Sequence, residues 1–336
     1  MHIILGAISM GVLWSLMAIG VYLTYRLLEM PDLSVEGTII LGAAVAARVI
    51  SQGFGPAFTE FMGRLGGFGE FVIAHQQNPF FATLLAIFAG CLGGLVTGVL
   101  HTKLRIPPIL AGILTMVASY SVVIRIMGTS NVPLPPHGPQ RVISVYTSLH
   151  EWVSATFPSV QAAGLSRQAA IISLACVAVL IVCAVLFWFF GTETGCAIRA
   201  TGNNRQMVKA QGVNTDAMII LCLMLSNSLV GMAGALVAQS QGFASVDMGV
   251  GTIVIGLASV IIAEVLFRVH SFWGRLLSLV AGAVIYRLII ALVLQMGMEP
   301  TDLRLFQAIT VALALTLPLI REKFAKIKEK STKRRA

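Results

Sequence analysis

Nine apolar runs of similar length constrain the fold of this chain more than any other feature. They cover residues 3–25, 33–50, 80–100, 108–127, 168–190, 215–239, 249–267, 272–294 and 302–320. A helix that crosses a bilayer needs about 20 apolar residues, and a bilayer leaves no water to satisfy exposed backbone groups. Only 11% of the residues are charged, against about 25% in soluble domains. We therefore predict an all-α, polytopic membrane helix bundle with about 8–10 transmembrane segments.

Basic residues in the links between these runs predict the orientation. Positive residues concentrate on the cytoplasmic side, which places residues 101–108, 193–216, the link around Arg275 and the tail 321–336 inside. With nine crossings the N-terminus lies outside, and with eight it lies inside. The expected organisation is a transmembrane domain over residues 1–320 and a basic cytoplasmic tail over 321–336, in the inner (cytoplasmic) membrane. The +9 net charge is then explained by the orientation of the loops and by a basic tail that can bind anionic membrane lipid. It gives no reason to expect a nucleic-acid partner.

A polar island between two apolar runs, residues 193–216, carries the signals of a short helix. Asn203 or Asn204 is placed to cap its start, and Gly212 is placed to end it. A helix of about two turns is not stable alone in water. It therefore rests either on its own membrane domain or on a partner. An ordinary cytoplasmic loop is the alternative, since such loops carry Lys and Arg in any multi-pass protein.

Two of the apolar runs begin alike. The sequence Gly-Thr-Ile-Ile-Leu-Gly at 37–42 is repeated as Gly-Thr-Ile-Val-Ile-Gly at 251–256. Four further segments separate the two, so they are expected to run in opposite directions. This pattern is typical of inverted repeats, in which interrupted helices meet near the middle of the bilayer. Chance is the alternative, because Gly, Thr and Ile are common in membrane helices.

Hydroxyl, amide and charged side chains within the runs are candidates for a transport pathway. Any one hydroxyl is most simply explained by a bond between helices, but together they can line a polar cavity. The candidates are Thr38, Thr115, Ser119, Tyr120, Asn227, Thr252, Ser259 and Arg287. Arg287 lies about three turns into its run, where it could pair with a substrate carboxylate. Glu36, Arg48 and Glu264 are assigned to helix ends, where dipole compensation, snorkelling or loop pairing explains them.

Nothing in the sequence predicts catalysis. The five cysteines form no C-x-x-C pair, and the six histidines are scattered through loops and ends. There is no H-E-x-x-H zinc motif, no nucleophile elbow and no G-x-x-x-x-G-K-[ST] phosphate loop. We therefore predict no catalytic residue, no metal and no cofactor.

The polar island resembles the cytoplasmic loop of permease subunits in bacterial ABC importers of the branched-chain amino-acid and ribose class. The matching residues are Gly195, Ala197, Ile198, Arg199, Ala200, Gly202, Asn204, Gly212, Val213 and Asn214. Residues 32–38, 41–46 and 101–114 are similar to a subgroup of that class whose usual substrates are aromatic or other amino acids. The resemblance spans about residues 10–320.

The resemblance implies a division of labour. This chain would be the pore subunit and not an enzyme, a separate ABC ATPase would bind below it, and an extracytoplasmic solute-binding protein would dock above. A second permease copy, in a homodimer or with a similar subunit, would complete the pore. The coupling helix, at about 199–212, would contact the ATPase. The resemblance assigns to this contact Arg199, Gly202, Asn204, Arg205, Met207, Lys209 and Gly212, with Val208 adding apolar contact.

Three alternatives remain open at this point. A stand-alone secondary transporter on inverted repeats would need an ion or proton site, for which Glu36 or Asp247 are the plausible carboxylates. An ABC permease for a sugar or a nucleoside would use the same polar lining. A membrane-embedded enzyme would need paired acids, a metal cluster or a nucleophile.

Overall fold

A computed structural model describes residues 2–53, 60, 64, 78–134, 166–267, 269, 271–296, 302, 305–310, 312 and 316, and everything below refers to these. The α-helices are α1 (His2–Tyr22), α2 (Ser34–Gln52), α3 (Pro79–Thr102), α4 (Pro108–Met127), α5 (Ser166–Gly191), α6 (Glu193–Asn203), α7 (Arg205–Ala210), α8 (Thr215–Gln241), α9 (Thr252–Leu266) and α10 (Phe272–Gln295). A π-helical segment, Leu23–Leu27, extends α1, and a 3₁₀ turn, Val246–Gly249, precedes α9. Two short strands, β1 (Asn131–Pro133) and β2 (Phe243–Ser245), pair antiparallel.

Eight of the described helices are long and apolar enough to cross a membrane, which confirms the predicted all-α bundle. The ends of these spans differ from the ends of the predicted runs by a few residues at most. The span of α9 includes the 3₁₀ turn before it and therefore begins at Val246. The ninth predicted run, 302–320, falls largely outside the described residues.

Helix α8 is the centre of the bundle and packs against α1, α2 and α3. Glycines allow these backbones to touch. A Cβ on Gly42 would lie 2.2 Å from the Gly231 carbonyl oxygen, and one on Gly90 would lie 2.2 Å from the Asn227 carbonyl oxygen. Small residues at such crossings are what drives close helix packing in lipid, where no hydrophobic effect acts between helices.

The two similar runs lie on α2 and α9, and these helices run in opposite directions, as the sequence predicted. Ser34 bonds to Asn227 and Gly234 packs on Ile39, so α2 runs parallel to α8. The Ser226 hydroxyl donates to the Gly20 carbonyl, and the Cys222 thiol donates to the Leu23 carbonyl. Because the later residue of α8 meets the earlier residue of the first helix, α1 is antiparallel to α8.

Helix α9 in turn follows α1. Gly256 packs on Met17 and Val21, and Glu264 pairs with Arg26 further along both helices. Helix α9 is therefore parallel to α1 and antiparallel to α2. A pseudo-two-fold axis relating the two runs remains a prediction.

Candidate functional site

The polar island folds into two helices, α6 and α7, which meet at Asn204. The range 199–212 is thus divided between the end of α6 and the whole of α7. Asn204 has extended backbone angles (φ −154°, ψ 91°) and caps α7 by accepting a hydrogen bond from the Met207 N–H at 3.0 Å. Gly212 follows with φ +85°. These two end signals of the short helix are confirmed, whereas sequence reasoning missed the 11-residue helix α6.

The side chains of α7 divide into an outward and an inward set. Met207 is 54% exposed and Lys209 is exposed, whereas Val208 is 1% exposed and packs inward. Arg205 is bound within the chain by the Asp216 carboxylate at 2.5 Å. A groove of about 510 Å³ lies between α7 and the start of α8 and is lined by Arg205, Gln206, Lys209 and residues 212–216. Met207 and Lys209 are therefore the predicted coupling residues that α7 leaves free for a partner.

Two other predicted coupling residues hold α6 against the membrane domain. A Cβ on Gly202 would lie 1.9 Å from the Leu27 carbonyl oxygen, so only glycine fits between α6 and the π-helical segment. Arg199 donates a hydrogen bond to the Phe190 carbonyl at 2.8 Å, and its guanidinium lies 5.9 Å from the centre of the Phe272 ring. Neither residue lines the groove beside Lys209.

A closed set of hydrogen bonds fixes the start of α2 near the middle of α8. The Asp32 carboxylate accepts from the Ser34 N–H at 2.9 Å and from the Asn227 side-chain amide at 2.9 Å. The Ser34 hydroxyl donates to the Asn227 amide oxygen at 3.2 Å. Asp32 is 5% exposed and Asn227 is fully buried. Sequence reasoning missed Asp32, whose position two residues before a helix start was the available signal.

The starts of α2 and α9 meet at this level of the bundle. A Glu36 carboxylate oxygen accepts a hydrogen bond from the Gly251 N–H at 3.1 Å, and Gly249 packs on the Glu36 carbonyl oxygen. Glu36 was expected to complement the dipole of its own helix, but it also satisfies a free N–H at the start of α9. A negative charge at a helix start is favourable. The two interrupted helices are thus joined by one carboxylate.

Most of the predicted pathway hydroxyls bond within their own helices. Thr38 donates to the Ser34 carbonyl, Ser119 to that of Thr115, and Ser259 to that of Ile255. Thr252 donates to the Gly249 carbonyl, in the 3₁₀ turn just before α9. Thr115 donates to the Ala111 carbonyl of its own helix and accepts from the Thr97 hydroxyl of α3 at 2.9 Å. Thr115 therefore links two helices. All of these candidates are buried in the single chain.

Tyr120 and Arg287 are the half-buried members of the pathway set. Gly37 at the start of α2 packs on Ser119, the residue before Tyr120, and α4 also contacts the 3₁₀ turn before α9. Arg287 lies elsewhere: its guanidinium is 4.4 Å from the centre of the Trp14 ring, in a groove of about 410 Å³ between α1 and α10. The structure therefore brings Tyr120 to the meeting point of α2 and α9 and separates Arg287 from it.

The segment that joins α1 to α2 connects both candidate regions. Leu27 packs on α6 through Gly202, and Arg26 pairs with Glu264 at the end of α9 at 2.9 Å. Asp32 then binds α8. A chain of direct contacts therefore runs from α6 to the starts of α2 and α9.

Sequence comparisons agree with this architecture. The pattern of the family described as the branched-chain amino acid transport system permease component matches residues 3–317. The tyrosine transport system permease protein of Clostridioides difficile (strain R20291) is 34% identical over 92% of this chain and 88% of its own length. An uncharacterized protein of Rickettsia prowazekii (strain Madrid E) is 27% identical over 94% of this chain and 98% of its own length.

A more distant similarity covers part of the chain. An autoinducer 2 import system permease protein of Yersinia pseudotuberculosis is 24% identical over 50% of this chain and 42% of its own length. No solved structure matches.

Proposed function

This chain belongs to the permease family of branched-chain amino acid transport systems, and from that premise we propose that it is the membrane pore of an ATP-driven importer for an amino acid with an aromatic side chain. A solute-binding protein delivers the amino acid from outside, and a separate ATPase drives its passage. A second copy of the chain completes the pore, the C-terminus lies in the cytoplasm, and the basic tail contacts anionic lipid.

The observation that carries the substrate proposal is the similarity to a tyrosine permease along nearly the whole chain. The half-buried phenol of Tyr120 and the carboxylate of Glu36 supply compatible chemistry where α2 and α9 begin. We propose that the pathway passes this point. Thr115 and Asn227 hold the surrounding helices together through their bonds to other helices. The remaining hydroxyls bond within their own segments and line the helices near the pathway; they are Thr38, Ser119, Thr252 and Ser259.

The surface of α7 supports the ATPase proposal. Met207 offers apolar area and Lys209 a positive charge on a short, capped helix that is anchored from behind by Val208. Such a helix fits a cleft with an apolar floor and acidic rim. We assign the contact to Met207 and Lys209, and also to Arg205, which stays 47% exposed beside Asp216 in the same groove. We assign the support of α6 and α7 to Gly202, Asn204, Gly212 and Arg199.

Co-purification with the ATPase subunit tests the coupling surface. We expect Arg205→Glu with Lys209→Glu to insert normally and to lose the ATPase, because two favourable charges become repulsive. Asp216→Asn is the matched control, since it breaks the internal pair with Arg205 but keeps both positive charges. A normal complex with the double variant would refute the assignment.

Calorimetry of the cognate binding protein tests the substrate. We expect tight binding of an aromatic amino acid, and weak or absent binding of pentoses and purine nucleosides. Tight binding of a sugar or a nucleoside, with no response to any amino acid, would overturn the substrate proposal. Uptake in proteoliposomes that persists without ATP would favour a secondary transporter instead.

A further inference from the structure

A groove at the end of α5 combines aromatic walls with one cationic side chain. It has a volume of about 460 Å³ and is lined by Phe187, Trp188, Phe190, Gly191, Thr192, Arg199 and Phe272. Two of the walls face outward, since Trp188 is 72% exposed and Phe187 is 52% exposed. Phe190 and Phe272 form the inner wall, with ring centres 5.3 Å apart. A groove with this lining suits a molecule that has both a hydrocarbon part and an anionic part.

The groove lies where the membrane meets the cytoplasm. Helix α5 is a spanning helix that ends at Gly191, and the cytoplasmic helix α6 begins two residues later. Phe272 is the first residue of the spanning helix α10. Exposed Trp and Phe at such a boundary are typical of the aromatic belt that lies at the level of lipid headgroups. The exposed rings therefore face lipid, with Arg199 on their cytoplasmic side.

Arg199 has N–H groups that form no hydrogen bond among the described residues. A guanidinium carries five N–H groups, and the hydrogen bonds of Arg199, to the Phe190 carbonyl and the Cys196 sulfur, both start from Nη2. Arg199 takes part in none of the ion pairs found among the described residues. Its Nε and Nη1 groups thus remain for an anionic acceptor. Planar guanidinium groups bind phosphate oxygens well, often through two parallel bonds.

We propose that this groove binds an anionic phospholipid of the cytoplasmic leaflet, with its phosphate on Arg199 and an acyl chain along Phe187 and Trp188. The orientation agrees with the leaflet, because Phe187 and Trp188 lie about one turn toward the membrane from Gly191. The lipid would sit against the first turns of α6, the helix that leads through Asn204 to α7. This inference does not depend on the identity of the transported solute.

Native mass spectrometry of the full-length permease tests the site. The probes are phosphatidylglycerol and phosphatidylcholine with identical acyl chains, offered at equal concentration. One basic residue near a membrane surface is worth about a five-fold preference for anionic lipid. We expect the wild-type protein to retain phosphatidylglycerol with about that preference, and Arg199→Gln to lose it. Gln lacks both the positive charge and the reach to the Phe190 carbonyl, so Arg199→Lys, which keeps the charge, is measured beside it.

Three further variants distinguish loss of this site from general changes in lipid binding. Arg199→Lys keeps the charge and should keep part of the preference. Arg275→Gln removes an exposed charge at the same membrane boundary, outside the groove, and should behave as wild type. Trp188→Ala leaves Arg199 untouched and should weaken retention of both lipids equally. Equal retention of the two lipids by the wild type, or a wild-type preference in Arg199→Gln, would overturn the proposal.

Discussion

The middle of the bundle and the short helix α7 differ in how their polar groups are satisfied. Around the start of α2, the buried side chains of Asp32 and Asn227 satisfy one another. On α7, Met207 and Lys209 remain exposed. Polar groups inside a bundle must be paired by the chain itself, whereas side chains exposed on a short helix stay available to another molecule. Substitutions in the first region should therefore affect folding, and those in the second should affect assembly.

The largest effect is expected for Asn227→Ala. It leaves the Asp32 carboxylate buried with one of its two donors missing, and losing one partner of a buried charge costs about 3 kcal/mol. The yield of folded protein and its resistance to thermal unfolding in detergent should fall sharply. Ser228→Ala, at the neighbouring residue whose hydroxyl bonds within α8, is the control. A stable Asn227→Ala protein would show that the middle of the bundle does not depend on this pairing.

Gly202→Ala should have the next largest effect. It tests whether a contact within the chain fixes the position of α6. The new Cβ would lie 1.9 Å from the Leu27 carbonyl oxygen, so α6 must move, at a cost of about 1–3 kcal/mol. We expect weaker association with the ATPase at nearly normal membrane insertion, measured by co-purification. Gly191→Ala is the control, because a Cβ there meets nothing within 4 Å. Normal association would mean that the position of α6 is not set by this contact.

A smaller loss of stability is expected on substitution of Glu36. Two variants separate the contribution of its hydrogen bond from that of its charge. Glu36→Ala removes the acceptor of the Gly251 N–H, which costs about 1–2 kcal/mol. Glu36→Gln keeps an acceptor oxygen and should be closer to wild type in thermal stability. Asp247→Asn changes an exposed carboxylate in the 3₁₀ turn before α9 and controls for charge alone. Equal stability of the Ala and Gln variants would mean that the hydrogen bond does not hold the start of α9.

The smallest effects are expected for Thr38→Val and Thr252→Val. Both hydroxyls donate to nearby carbonyls of their own segments, and such bonds in membranes are worth about 0.6 kcal/mol. We expect little change in stability, and uptake in proteoliposomes within about two-fold of wild type. A large loss of uptake at unchanged stability would make these hydroxyls part of the pathway surface.

The sequence predicted what depends on neighbours in the chain and missed what depends on distant partners. The span 108–127 was predicted to the residue and the other described spans to within a few residues, because membrane thickness sets a similar length for all apolar runs. The cap at Asn204 and the left-handed Gly212 were predicted because both act within a few residues. The role of Asp32 was missed since its partner is Asn227. The contact of Arg199 with the Phe190 carbonyl was missed because charge predicts a side of the membrane but not a contact.

The glycine contacts around α8 have a mechanical consequence. Where Gly42 meets Gly231 and Gly90 meets Asn227, backbone rests on backbone with no layer of side chains between them. Side chains can yield by changing rotamer, but backbones in direct contact cannot, and packed interiors have low compressibility. Helices α2, α3 and α8 should therefore be the stiffest part of the molecule. The compliance that a transport cycle requires would then belong to the helices outside this block, among them α9 and α10.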